Sequence, residues 1–423
     1  MSITVHSSGD KTIEITLKIE LKDGTAMLDC EQQIQEALNQ AGTEATAHCL
    51  ELFDTDGSPI HVGGIKMTSK GRVGKKYQTP YGETMVERYV YQSREGGETF
   101  CPLDQNARIV NSTTPRFAKV AAFKYASMKS TTAQEDLEKN HARKVSRCFL
   151  QDIAEDVAAI LVQKEEHWHY EDPPLDGTVH TIGLGVDGTC VLFCEEGYRQ
   201  TMVGTIALYD IEGERLHTTY LGAEPQYGKE DFYCRMEMEI NQYKQRYPGT
   251  KWVGIADGAH DHWPWLKQFT DEQILDFFHA TGYLKGAAQG VCTSIKDRSA
   301  WIDENAHNLK HKRGAAKKIL NQMKEALENR RLGKVVKEEL SRSVSYFKNY
   351  QGQMKYASYR KQNLPIGSGI TEAACKSLVK QRMCGSGMKW KSRGASVILG
   401  LRGLTQTKGR WEQFWQKLSR FGF

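Results

Sequence analysis

The stretch HTIGLGVDGTCVLF (residues 180–193) predicts a buried β-strand that ends in an acid. The residues before Asp187 are mostly small or β-branched, and Gly188 follows the acid. KWVGIADGA (251–259) repeats this pattern with Asp257 and Gly258. Either Asp-Gly pair taken singly is explained by an ordinary turn. If the two strands are neighbours, however, their carboxylates converge at one edge of a sheet.

The surrounding elements predict an α/β protein. Strands are predicted at 201–210 and 215–222, and a helix is predicted at 229–247, where apolar residues recur at helical spacing. Three strands, a helix and a further strand are the opening order of an RNase H-like sheet. We therefore expect an RNase H-like core with an all-helical insertion, preceded by smaller α+β and helical DNA-binding domains. The expected boundaries are 1–110 (α+β), 111–170 (helix-turn-helix-like), 178–283 (first part of the core), 284–364 (insertion) and 365–423 (second part of the core and basic tail).

A third carboxylate stands in PIGSGITEAACKSLVKQRM (365–383). Glu372 is the one acid between Glu339 and Glu412, a span that holds fourteen Lys and Arg. A solvated helix face normally mixes both signs. Glu372 is therefore either a chance surface residue or a negative charge that the site needs. We expect the Gly-Ser-Gly turn to bring the chain back from the insertion so that Glu372 reaches the two aspartates.

Carboxylates held together repel each other, and such a cluster is stable when it binds divalent cations. Two ions about 4 Å apart can activate an attacking oxygen and stabilise the leaving oxygen of an in-line phosphoryl displacement.

Nearby, LDFFHATGYL places Asp276 and His279 three residues apart, at the end of the fifth predicted strand. We expect the aspartate to orient the imidazole. His260 and His262 are expected to line the site rather than to catalyse.

The basic residues are distributed unevenly. The net charge is only +5, but residues 373–423 carry eleven Lys or Arg and one acid. This bias indicates a polyanion such as nucleic acid, although a generic solubilising surface has the same composition. The spacing of residues 133–165 is typical of a helix-turn-helix, although helical hairpins that bind nothing share it. The predicted DNA contacts are Lys144, Arg147, Gln151, Lys376, Lys380, Arg382, Lys389, Trp390, Lys391 and Arg393.

Trp390 between Lys389 and Lys391 could stack on an unpaired base, or it could anchor the core.

The sequence has no apolar run of the roughly eighteen residues that a membrane span requires. The N-terminus is polar and alternating, without the apolar core of a secretory signal. We therefore expect a cytoplasmic protein with no membrane partner.

The chain resembles the DDE transposases of bacterial insertion sequences, and most closely the ISKra group. The resemblance is strongest over YFKNYQGQMKYASYRKQNLPIGSGITEAACKSLVKQRMCGSGMKWKSRGASVILGLRGL (346–404), and VDGT, IADGA and DFFHA fall in the family's order. It covers roughly residues 180–415. Relatives often carry a cysteine-rich segment before a PLD motif, whereas GGETFCPLD keeps only Cys101, so DNA binding there is expected without zinc.

By this resemblance, Asp187, Asp257 and Glu372 are the metal-binding DDE triad, and Asp276 and His279 match the C/D-x-x-H motif of Mutator-like transposases. The resemblance implies two Mg²⁺ ions, for which Mn²⁺ can substitute. It also implies cleavage of transposon ends and joining of the 3′-OH to target DNA. The expected partners are double-stranded DNA and a second copy of the chain on synapsed ends, in the bacterial cytoplasm and associated with the nucleoid.

Three other interpretations remain open at this point. The protein could be a structure-specific RNase H-like nuclease without strand transfer. It could be a retired transposase that acts as a DNA-binding regulator, although all three acids are present. It could also be a basic scaffold that needs no metal ion.

Overall fold

The structure, a computed structural model, describes residues 2–8, 12–20, 24–225, 229–259, 261–329 and 331–423. The chain forms two compact units, Met1–Tyr170 with Arg410–Phe423, and Glu171–Gly409. Both contain helices and strands, and the sheets differ in strand orientation. The α/β class expected from the sequence is therefore confirmed.

The first unit begins with two antiparallel sheets. The hairpin of β1 (Ser2–Ser8) and β2 (Thr12–Lys18) is followed by the long helix α1 (Met27–Glu51). The second sheet has the order β3 (Ile60–Val62), β4 (Ile65–Gln78), β5 (Glu83–Ser93) and β6 (Gly96–Phe100). Its core includes the fully buried Tyr77, whose hydroxyl donates to Asp104.

Four helices follow in this unit, α2 (Pro102–Asn106), α3 (Pro115–Ser127), α4 (Ser130–His141) and α5 (Arg147–Lys164). Helix α4 ends at Ala142, which adopts a left-handed conformation with φ 52°. Helix α5 begins after Ser146, whose hydroxyl accepts the backbone N–H of Phe149 at 3.1 Å. The predicted pair of helices with a short break is confirmed, and the cap fixes where the second helix begins.

The second unit is built on a five-stranded sheet with the order β11-β10-β7-β8-β9. The strands β7 (Thr181–Phe193), β8 (Gly197–Tyr209) and β9 (Arg215–Ala223) form an antiparallel meander. The strands β10 (Lys251–Ala256) and β11 (Glu272–Leu275) add to it in parallel. All five strands were expected from the sequence.

The prediction that the first strand ends at Asp187 was wrong. β7 continues to Phe193, because β8 keeps pairing with it as far as Gly197 opposite Phe193. On its other side, β10 pairs with β7 only as far as Gly185. Asp187 therefore lies where the parallel half of the sheet stops and the antiparallel half continues.

Helices cover both faces of this sheet. On one face, α6 (Glu230–Arg246) and α7 (Trp263–Phe269) pack against the even-numbered residues of β7, which include Ile182, Leu184 and Val186. Val253, Ile255 and Ile274 share another core with the helices α8 (Phe277–Val291), α9 (Ile295–His311), α10 (Ala315–Asn329), α11 (Lys334–Tyr350) and α12 (Tyr356–Lys361). The described residues of the segment 284–364, expected as a helical insertion, are thus mostly helical and share a core with the sheet, and the first of these helices begins earlier, at Phe277.

The chain then returns to the sheet through α13 (Gly369–Ala374), a π-helical segment (Cys375–Lys380), α14 (Gln381–Met383) and α15 (Ser392–Gln406). The last helix, α16 (Arg410–Phe421), belongs to the first unit, although the sequence grouped it with 365–423. Its apolar face explains the difference, since Trp411, Phe414 and Trp415 are buried and Phe414 packs 5.6 Å from the ring of Trp168. Within the described ranges, no helix is long and apolar enough to cross a membrane.

Asp172 anchors the segment EDPPLDG (171–177) within the second unit. Its carboxylate accepts hydrogen bonds from the hydroxyls of Tyr243 and Tyr247 at 2.7 and 2.8 Å and from the guanidinium of Arg246 at 2.8 Å. Burial works to raise the pKa of Asp172, but these three hydrogen bonds outweigh it and hold the pKa below its usual value. A lowered pKa stabilises the fold above the unfolded value of about 3.9, and this contribution is lost as the pH falls through the folded value.

We predict that Asp172→Ala lowers the free energy of unfolding by about 2–3 kcal/mol at pH 7, because the partly buried guanidinium of Arg246 and the hydroxyls of Tyr243 and Tyr247 lose the carboxylate that accepts from them. Urea denaturation followed by circular dichroism measures the change. Asp176→Ala, at an exposed position of the same segment, is the control and should leave stability unchanged. The difference between the two variants should shrink towards pH 3. Equal stability of both at pH 7 would contradict the prediction.

Candidate functional site

Two of the predicted carboxylates lie level with each other at the end of the parallel strands. β10 pairs with β7 from Lys251 opposite Thr181 to Ile255 opposite Gly185, an offset of 70 residues. Asp257 follows the last residue of β10, two residues beyond the last pair, and the same offset sets it level with Asp187. Both charges act to raise the pKa of the buried His262, although burial dominates and lowers it. The two acids therefore share one corner of the sheet.

The next strand brings Asp276 to the same edge. Leu275, the last residue of β11, lies opposite Ala256, and the backbone N–H of Asp276 donates to the carbonyl of Ala256 at 2.9 Å. The side chain of Asp276 is fully buried and caps α8 by accepting the backbone N–H of His279 at 2.5 Å. The hydrogen bond of Asp276 is with the backbone of His279, and a ring nitrogen of His279 lies within 4.8 Å of the carboxylate, so the orientation of the imidazole by Asp276 stays a prediction.

The Gly-Ser-Gly turn binds this carboxylate. Both the backbone N–H and the hydroxyl of Ser368 lie at hydrogen-bond distance from Oδ2 of Asp276, at 2.6 and 3.0 Å. The same hydroxyl lies 2.8 Å from Oε1 of Glu372. Nε2 of His279 lies 3.9 Å from that oxygen, and the two side chains are 43% and 48% exposed. Ser368, which the sequence did not single out, therefore connects the buried Asp276 to the accessible Glu372.

A glycine allows the helix that carries Glu372 to approach the sheet. The hydroxyl of Thr371 in α13 and that of Thr205 in β8 form a hydrogen bond of 2.8 Å. A Cβ atom at Gly185 would lie 2.0 Å from the hydroxyl oxygen of Thr371, a distance that side chains cannot adopt. Gly185 is therefore part of the docking of α13 on the strand that carries Asp187.

The π-helical segment adds a thiol to the site. Sγ of Cys375 lies 3.4 Å from Oδ2 of Asp187. Burial, followed by the negative charge of Asp187, raises the pKa of the Cys375 thiol, so the thiol stays protonated at neutral pH and donates to the carboxylate. Sequence reasoning missed this residue. The signal that could have found it is its position three residues after Glu372, on the same face of a helix.

Two tyrosines of the insertion hold the loop after β10. The hydroxyl of Tyr346 donates to the carbonyl of Asp257 at 2.8 Å, and that of Tyr350 donates to the carbonyl of Gly258. Gly258 has a φ of +104°, and a Cβ atom there would lie 3.0 Å from the ring of Tyr346. The carboxylate of Asp257 itself accepts the backbone N–H of Ala259 at 3.0 Å. Nothing in the local sequence marks these two tyrosines beyond their spacing of four residues on a helix.

The acids line separate clefts. Asp187 and Glu372 line a cleft of about 640 Å³ together with Cys375, Lys376 and Lys380. Asp257 and His279 line a second cleft of about 520 Å³. Among the described residues, the group of His, Cys, Asp or Glu ligand atoms that lies within 4.8 Å of one another is Asp276, His279 and Glu372. Asp187 and Asp257 are outside this group. Glu372 belongs to the group and also lines the first cleft.

The predicted DNA contacts are mostly exposed. The exposed residues are Lys144, Arg147, Gln151, Lys376, Lys380, Lys389, Lys391 and Arg393. Arg382 needs correction, since it is only 4% exposed and its guanidinium lies 5.2 Å from the ring centroid of Trp390. A buried guanidinium in this position packs the core and does not present its charge to a phosphate.

Trp390 and His262 have structural contacts. The indole N–H of Trp390 donates to the carbonyl of Met383 at 2.9 Å, and its backbone N–H donates to Leu192 at 3.0 Å. These bonds favour the anchoring interpretation of Trp390 over base stacking. His262 is 2% exposed, with Nδ1 3.1 Å from the hydroxyl of Tyr233, so it supports the site from inside. His260 lies outside the described residues.

Comparison with models of protein families and with curated proteins identifies no relative of this chain. No model of a protein family matches the chain, and no curated protein matches it at a significant level.

We predict that Gly185→Ala destabilises the second unit by about 1–3 kcal/mol, because the added methyl group overpacks the contact with Thr371. Chemical denaturation measures the loss. Gly369→Ala is the matched control, since Gly369 is the first residue of α13, the helix that packs against Gly185, and its Cβ would meet no atom within 4 Å. If both variants are as stable as the wild type, the close approach of α13 to β7 is not required.

Proposed function

We propose that the protein is a DDE transposase of the ISKra type with an RNase H-like core. It binds the terminal inverted repeats of its element, cleaves DNA there and joins the 3′-OH ends to target DNA. The observation that carries this proposal is the pairing offset that sets Asp187 level with Asp257, with Glu372 in the same cleft as Asp187. Two carboxylates where the parallel pairing of β7 with β10 stops, together with a helix-borne third from a distant segment, are the kind of arrangement that supports metal-dependent phosphoryl transfer.

The donor set fits Mg²⁺. Carboxylate oxygens are the ligands that this hard cation prefers. Oδ1 of Asp187 accepts the backbone N–H of Gly188 at 2.6 Å and Oδ1 of Asp257 accepts that of Ala259, which orients both side chains. Asp187, Asp257 and Glu372 would hold two Mg²⁺ ions, and Mn²⁺ can substitute. When bound, the ions would activate the attacking oxygen and stabilise the leaving one.

The residues around the triad bind and position. Lys376 and Lys380 line the cleft with Asp187 and Glu372, and their charges attract a phosphodiester. Cys375 holds Oδ2 of Asp187, and Ser368 holds Oε1 of Glu372. These contacts fix two carboxylates that would otherwise repel each other and turn apart.

The partners follow from the same proposal. Joining two element ends to a target requires both ends to be held at once, so we propose a homodimer on synapsed double-stranded DNA. The exposed Lys144, Arg147 and Gln151 lie at the start of α5, where a recognition helix contacts base edges. We propose that the protein acts in the bacterial cytoplasm, at the nucleoid.

The first prediction from this proposal concerns Glu372. Glu372→Gln keeps the size of the side chain and removes its charge, so cleavage of a labelled element end with Mg²⁺ should fall at least about 100-fold. Asp187→Ala should do the same, and both variants should bind the end as tightly as the wild type. Glu338→Gln, on the exposed face of α11, is the control and should cleave normally. Cleavage by Glu372→Gln at the wild-type rate would exclude the proposed triad.

The same reaction separates the alternatives. Incubating pre-cleaved ends with a plasmid should give joined products that depend on Mg²⁺. Cleavage without joining would favour a structure-specific nuclease. DNA binding with neither activity would favour a retired transposase that acts as a regulator.

The second prediction concerns Ser368 as a positioning residue. Ser368→Ala removes the hydroxyl that connects Asp276 to Glu372, so cleavage should fall about tenfold and more Mg²⁺ should be needed for half-maximal rate. Ser368→Thr keeps the hydroxyl and should restore most of the rate. Ser386→Ala, at an exposed position, is the control. An unchanged Mg²⁺ dependence in Ser368→Ala would show that the hydroxyl does not position Glu372.

A further inference from the structure

A basic cleft lies in the helical insertion, apart from the carboxylates. It has a volume of about 360 Å³ and lies between the turn from α9 to α10 and the segment 351–358. Four of its lining residues are cationic, and none of its lining residues is acidic. They are Lys312, Arg313, Lys317 and Lys355.

These cations have fewer carboxylate partners than other cations in the same unit. Lys229 pairs with Asp261 at 2.6 Å and Arg342 with Glu339 at 2.7 Å. Within the described ranges, by contrast, no carboxylate lies within ion-pair distance of Lys312, Arg313 or Lys317. Lys355 has a contact of 3.5 Å with Glu272. Unpaired like charges repel each other, so this cleft favours a bound anion.

The sequence around the cleft has the same bias. No acid occurs between Glu304 and Glu325, a stretch that holds six Lys or Arg. Next to the cleft, Arg360 approaches Nδ1 of His311 at 2.8 Å. The pKa of His311 is lowered, first by loss of solvation and then by the charges of Arg360, His307 and Lys310. The positive potential therefore extends beyond the four lining cations.

The shape and chemistry of the cleft fit a phosphate group. Met354, Ala316 and Ala357 are buried and form an apolar floor that the core of the insertion holds in place. Gln351 and Ser358 add polar side chains, which together with Lys and Arg are the types that contact phosphate oxygens in DNA complexes. No aromatic side chain lines the cleft, so it has no platform on which an unpaired base could stack.

We propose that this cleft binds the phosphodiester backbone of duplex DNA, without reading its sequence. The choice of DNA as the source of the phosphate rests on the proposed function. The insertion would then be a second grip on DNA, separate from the lysines beside the carboxylates. Binding of this kind depends on salt, because each neutralised phosphate releases condensed counterions.

The test is the salt dependence of duplex binding by the full-length protein, measured by fluorescence anisotropy with a random-sequence duplex. The variant Lys312→Ala/Arg313→Ala/Lys317→Ala should reduce the slope of log K against log salt by about two to three and weaken binding about 10- to 100-fold near 0.15 M salt. Lys312→Arg/Lys317→Arg keeps the charges and should retain the wild-type slope. Lys324→Ala is the matched control, because Lys324 is exposed on α10, the helix that also carries Lys317. It lies outside the cleft and is followed in sequence by two acids, Glu325 and Glu328.

A wild-type slope in the triple variant would overturn the proposal, as would a wild-type protein that binds no duplex DNA. A parallel titration uses inorganic phosphate and follows the melting temperature. If phosphate stabilises the wild type but not the triple variant while the DNA slope is unchanged, the cleft is a site for a small anion and the proposal is wrong. Salt-dependent binding that the triple variant loses, in a protein that does not cleave, would support the cleft and reject the proposed function.

Discussion

The parallel pairing of β10 between β7 and β11 is the constraint on which the site depends. It sets Asp187, Asp257 and Asp276 level across three neighbouring strands. Three carboxylates at one edge repel each other, and each accepts at least one hydrogen bond from a nearby donor. Asp276 is fully buried and accepts from Ser368 and from the backbone of His279. Asp187 and Asp257 each accept one nearby backbone N–H and remain partly exposed to a cleft. Similar positions in the sheet thus give one structural carboxylate and two that are accessible to a ligand.

Glu372 depends on both the turn before it and the strand beneath it. The turn is fixed by Asp276 through Ser368, and the helix is seated by the contact of Thr371 with Thr205 above Gly185. Because both anchors belong to the sheet, the position of Glu372 follows the same strands that place the aspartates. A change that frees either anchor would therefore move this carboxylate relative to the aspartates, and through Cys375 it would also release a contact of Asp187.

Local patterns predicted the strands and the acids but not the contacts between them. Apolar runs followed by Asp-Gly identified Asp187 and Asp257, since burial on both faces of a strand is visible in sequence. The extension of β7 to Phe193 is a tertiary effect of pairing with β8, and no local signal marks it. Arg382 looked like its exposed neighbours because charge patterns carry no information on which turn of a helix faces inward. The role of Ser368 required knowing that two segments 92 residues apart meet.

The insertion between Asp257 and Glu372 is part of the structure of the site rather than an appendage. Its helices share one core with Val253, Ile255 and Ile274 of the sheet, so they cannot move independently of β10 and β11. Tyr346 and Tyr350 reach back to the two carbonyls that follow β10, and burial raises the pKa of Tyr346, so its hydroxyl remains a donor at neutral pH. The loop that carries Asp257 is therefore held by backbone pairing on one side and by the insertion on the other.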